Sequence, residues 1–135
     1  MEKVTAGRDI LGDFAPKFAE LNDDVLFGQV WGREEQLSVR DRSIVTVTAL
    51  MASGVLDSSL QSHIQRAKDN GVTKAEMAEI LTHAAFYTGW PKAWAAFRIA
   101  KDVYEGYFPG TRGCIRRLLR LLIQPLVSFW LIRKL

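Results

Sequence analysis

The 135-residue sequence contains one cysteine, Cys114. That excludes an intrachain disulfide and a cysteine-rich metal site. Only two histidines occur, His63 and His83. No H-E-x-x-H pattern or His/Cys cluster accompanies them, so no metal is expected. No apolar run reaches the length of a membrane-spanning helix. The first residues, MEKVTAGRDI, lack the apolar core of a signal peptide, and a cytoplasmic location is the expectation. Alternating stretches with hairpin turns are missing too, which argues against an antiparallel sheet. Acidic residues are absent from 110–135, where six basic residues lie, whereas 1–109 carry 12 basic and 15 acidic residues. The basic balance therefore belongs to the C-terminal segment. Over the body it gives no reason to expect nucleic acid. With 48% apolar and 24% charged residues, the chain has ordinary globular composition.

What is present is dense helix punctuation. Ser38-Val39-Arg40-Asp41 has the form of a capping box, opening a helix that should end near Gly54. Its apolar residues Ile44, Val45, Val47, Leu50 and Met51 run nearly all the way round, which predicts a central, buried helix. Its β-branched residues also permit a strand; length and capping favour helix. Asp57 or Ser58 can cap the next helix, with Leu60, Ile64 and Ala67 as its stripe and Asn70-Gly71 as its end. Thr73-Lys74-Ala75-Glu76 is a second capping box, whose helix carries Met77, Ile80, Leu81, Ala84 and Ala85 and stops at Gly89. Pro91 suits the first turn of a last helix through Ala93, Trp94, Phe97, Ile99, Ala100 and Val103. Two short helices are expected earlier, around 14–21 and 25–31. The sum is an all-α domain over 1–109, with mostly antiparallel neighbours.

His63 and His83 each fall on or beside an apolar stripe, so they can share a pocket as an acid/base pair. The plainer alternative is two structural histidines. Glu34 in Trp31-Gly32-Arg33-Glu34-Glu35 can orient a histidine, or lie in a solvated turn. Arg42 can grip a carboxylate, or pair at the surface. Phe86, Tyr87, Trp90, Trp94 and Phe97 form an aromatic run suited to a core or a subunit interface. Tyr87 and Trp90 can also line a pocket next to His83.

Several of these segments occur together in one order: Arg40-Asp41-Arg42-Ser43, then His63 ahead of Asn70-Gly71-Val72-Thr73, then His83-x-x-x-Tyr87-x-Gly89-Trp90-Pro91. In this the chain resembles the carboxymuconolactone decarboxylase family, of AhpD-like fold, over about 25–105. The resemblance implies an AhpD-like helical bundle subunit that forms homo-trimers or homo-hexamers, with sites between helices near subunit contacts. The antioxidant branch of the family carries C-x-x-C-x-x-x-H. Here Leu56 and Ser59 stand at the two thiol positions before His63, so its redox cycle has no thiolates. The remaining resemblance is to the lactone decarboxylases, which need no metal or organic cofactor. It implies a small-molecule carboxylated substrate; for that chemistry the residues offer His63 and His83 as catalytic groups, Glu34 as a buffering or orienting carboxylate, Arg42 to hold a carboxylate, and Tyr87 and Trp90 to line the pocket. The Glu34 segment suggests a subfamily with its own specificity. An antioxidant protein and a non-catalytic oligomeric binding protein are the alternatives. Family members usually end soon after 107. The segment 110–135 can pack on the body, be an altered end, or touch a membrane surface, in that order of preference.

Overall fold

The computed structural model describes residues 3–106, and all their regular structure is helical. A short helix α1 spans Ala6–Leu11. Helix α2 begins at Pro16 and runs to Glu20, then passes without a break into a wider helical segment over Leu21–Val30. In that segment the hydrogen bonds reach five residues back, as in Trp31 N–H to the Leu26 carbonyl at 2.9 Å. The expected pair of short helices is therefore one continuous run that starts at Pro16. Phe14 lies in the turn before it. Proline fits that start because its missing N–H would be unpartnered there anyway.

Four longer helices follow: α3 (Val39–Ser53), α4 (Ser58–Asp69), α5 (Lys74–Thr88) and α6 (Trp90–Glu105). Their ends follow the local chemistry. Ser38 Oγ accepts from Asp41 N–H at 3.0 Å, and Asp57 accepts from Ser59 N–H at 2.8 Å. Both halves of the Thr73–Glu76 capping box form. Gly54 closes α3 and Gly71 follows α4 with φ of 80° and 90°, where a side chain would strain the backbone.

The strand alternative for α3 fails for a visible reason. Ser43, Thr46 and Thr48 turn their hydroxyls back to the carbonyls of Val39, Arg42 and Ile44 at 2.8–2.9 Å, so their polar groups are satisfied within a helix. Burial of α3 is one-sided, however. Ser43, Val47 and Met51 are buried, while Val45 is 59% exposed. The apolar ring read around this helix is thus a single buried face.

In the bundle α4 packs on α3 and α6, and α5 also packs on α3 and α6. Helices α4 and α5 therefore occupy opposite corners. Val47, Met51, Leu60, Ile64, Met77 and Leu81 fill the space between them. Polar staples fix the register. Asn70 Nδ2 donates to Ser43 Oγ at 2.9 Å, Arg40 pairs with Glu76, and Tyr104 Oη donates to the Val72 carbonyl at 2.6 Å.

The N-terminal helices are held by a different device. Asp23 is buried and accepts from the Gly7 and Arg8 N–H groups at 2.9 and 3.0 Å, and from Asn22 Nδ2 at 2.9 Å. Arg8 adds an ion pair at 3.2 Å. Burial pushes the Asp23 carboxyl up, but the bonds from Asn22, Arg8 and Gly7 hold it below the usual range. A Cβ at Gly7 would lie 2.7 Å from Asp23 Oδ1, so only glycine fits. No helix among the described residues is long and apolar enough to cross a membrane. The 110–135 segment, Cys114 and the boundary at 109 lie outside the described residues.

Candidate active site

Helix α4 sets the position of His63. Its buried stripe is Leu60, Ile64 and Ala67. His63 stands one residue off that stripe, three after Leu60, and is half-buried. Its Nδ1 is buried and has no hydrogen-bond partner, the one such side-chain atom among the described residues. A buried polar atom without a partner is costly and calls for an explanation. Burial first, and the charge of Arg66 second, push the imidazole below its ordinary 6.5. At pH 7 the ring is mainly neutral and able to accept a proton.

One turn further along α4, Arg66 lies across two aromatic rings of the N-terminal helical run. Its guanidinium carbon is 4.6 Å from the Phe27 centroid and 5.6 Å from that of Trp31. The two rings are buried and 5.6 Å apart. Arg66, Phe27 and Trp31 escape a reading by motif, because the contact joins segments far apart in sequence. The only local signal is that Arg66 follows His63 by three, on the same side of the helix.

His83 has other surroundings. It is exposed on α5 and stacks at 5.1 Å on Tyr87, itself 80% exposed. Trp90 is 55% exposed and packs edge-on against Phe86 at 5.9 Å. Of the aromatic run, Phe97 packs against the core, while Phe86, Tyr87, Trp90 and Trp94 are exposed. Beside it, Thr82, Ala85, Trp90, Ala93, Trp94 and Phe97 line an apolar groove of about 360 Å³. A second groove of about 500 Å³ continues along α5 and α6, sharing Trp94 and Phe97. No hydrogen bond, ion pair or ring contact joins His63 to His83, which the corner positions of α4 and α5 explain.

Glu34 lies in the exposed turn that precedes α3. Arg42 fastens this turn to α3: its Nε donates to the Leu37 carbonyl and its Nη2 to the Arg33 carbonyl, both at 3.1 Å. Two guanidinium nitrogens thus serve the backbone that carries Glu34. Among the described residues no group of three or more His, Cys, Asp or Glu side chains is placed to hold a metal ion. At the two thiol positions before His63, Leu56 packs against the core and Ser59 is exposed.

The chemistry available on the α4 side is therefore proton transfer beside a cation with aromatic walls. On the α5–α6 side it is an apolar, aromatic surface carrying one imidazole.

Comparison with known sequences bears on both sides. Residues 16–102 match the carboxymuconolactone decarboxylase family. A 4-carboxymuconolactone decarboxylase of Acinetobacter baylyi is 36% identical over 102 residues, covering 76% of this chain and 75% of that protein. An uncharacterized 15.0 kDa protein from the nqo9–nqo10 intergenic region of Paracoccus denitrificans is 30% identical over 82 residues, 60% of each chain.

Proposed function

The chain belongs to the carboxymuconolactone decarboxylase family, and from that premise we propose that it is a cofactor-independent carboxy-lyase acting on a small carboxylated lactone or related oxo-acid. In such a substrate the bond to the carboxylate carbon breaks and carbon dioxide leaves. The electron pair spreads into the unsaturated lactone and its carbonyl oxygen, and a proton then restores the carbon. The substrate is its own electron sink, so the protein has to hold an anion, stabilise an oxyanion and move one proton.

His63 is the proposed general acid/base. The observation that carries this role is its half-buried ring with an unpartnered buried Nδ1. Glu34 is the proposed orienting carboxylate, on the turn that Arg42 positions. His83 is the proposed donor to the oxyanion, with Tyr87 and Trp90 lining the substrate. Because these three are exposed on the far corner of the bundle, we place them at a contact between copies of the chain, in a trimer or hexamer. A contiguous exposed aromatic strip of this kind suits a subunit contact. The antioxidant alternative has no thiol at 56 or 59 to support it.

Carbon dioxide release from a panel of carboxylated lactones tests the proposal. The wild-type protein should turn over at least one member, and His63→Ala should reduce the rate by roughly 10²–10⁴-fold. Equal rates in the two proteins would remove His63 from the chemistry.

A further inference from the structure

Arg66 makes no ion pair among the described residues, although the Asp69 carboxylate one turn on acts on its charge. Its guanidinium rests on Phe27 and Trp31, and among the described residues no carboxylate or carbonyl hydrogen-bonds to it. The carboxylate of Asp69, one turn on, is engaged by Gln65 at 2.8 Å. The other cations of the bundle that touch partners do so on carboxylates or carbonyls: Arg40 on Glu76, Arg42 on the 33–37 turn, Lys68 on the Val103 carbonyl and Lys92 on the Ala52 carbonyl. Arg66 differs from all of them.

Aromatic rings satisfy the flat face of a guanidinium and leave its N–H edge unpaired. That edge suits the two oxygens of a carboxylate. Three residues back on the same helix stands His63, whose buried Nδ1 is also unpartnered. Side chains at this spacing are neighbours, with their Cβ atoms about 5–6 Å apart. The charge of Arg66 acts on the His63 ring, so an anion held at the guanidinium would stand beside the imidazole. The rings that hold Arg66 come from the run whose hydrogen bonds reach five residues back, a rare geometry often found at functional sites.

We propose that Arg66 and His63 form a ligand-binding pair in which the guanidinium holds a carboxylate of the ligand and His63 keeps its ring for the proton, with Phe27 and Trp31 fixing the guanidinium. The pair rests on the lyase reading only for the identity of the ligand. The carboxylate it holds is one that stays on the substrate, because a guanidinium on the departing group would stabilise charge that the reaction has to remove.

Binding can be read without turnover. The probe is 2-furoate, a planar ring carboxylate, with 2-furamide as its neutral counterpart, titrated while the His63 ring signals are followed by NMR. Furoate should produce a saturable shift and furamide none. Arg66→Met keeps the alkyl stem on the rings but loses the charge, and should weaken furoate about 10–100-fold. Arg66→Lys keeps the charge and should lose less than Arg66→Met. The pair is overturned if furoate and furamide shift His63 alike, if no saturable shift occurs, or if Arg66→Met binds furoate as the wild type does. Arg66-dependent furoate binding with no lactone turnover would uphold the pair and remove the lyase reading. Turnover with Arg66-independent furoate binding would do the reverse.

Discussion

The flank of α4 around His63 and the α5–α6 face around His83 present the same type of side chain in opposite settings. On α4 the imidazole is half-buried, its Nδ1 lacks a partner, and a cation stands beside it. On α5 the imidazole is exposed and its neighbour is an exposed tyrosine ring. The contrast teaches which of the two settings is built from contacts within one chain. The first setting has desolvation and charge already built. The second has apolar surface that no described residue covers.

Paired deletions should sharpen that difference most. Leu60 is fully buried beneath His63, and Leu60→Ala should cost about 2–5 kcal/mol in urea unfolding. Tyr87→Ala removes a larger side chain from the exposed face. It should change the stability of the isolated subunit by no more than about 0.5 kcal/mol. Comparable losses from both would show that the aromatic face is packed within one subunit.

A smaller effect separates the two sides by pH. Folding holds His63 below its ordinary 6.5, so the unfolded chain binds the extra proton first. Stability is complete above that value and declines as the pH falls through about 6.5. The carboxyls of Asp23, Asp24, Glu76 and Glu105 are also shifted down, but from a lower ordinary range, so their contribution fades only in more acid solution. Urea midpoints measured from pH 8 to pH 5 should show the upper decline in wild type and lose it in His63→Gln. A decline that persists in His63→Gln would assign it to other groups.

The same contrast marks what the sequence made legible. Helix ends were readable where the signal is local: Ser38, Asp57 and the Thr73–Glu76 box each act within three residues. The half-burial of His63 was readable from its place beside Leu60 and Ile64. Helix α1 was not. Thr5 makes no side-chain cap, and the carboxylate that holds the helix, Asp23, arrives from the next helical run. The continuity of 16–30 was equally hidden, because no residue pattern announces bonds that reach five back. The relation of the two histidines depends on which corners α4 and α5 occupy, a property of packing. Arg66 is hidden in the sequence for the same reason, since Phe27 and Trp31 reach it only in the folded chain.

The most direct measurement mixes two defective proteins. His63→Ala and His83→Ala subunits, each impaired alone, are combined, dissociated, reassembled and assayed for lactone decarboxylation. If one site takes His63 from one copy and His83 from another, random reassembly should restore roughly a quarter of the wild-type sites. Activity that stays at the level of the separate variants would contradict a site shared between copies.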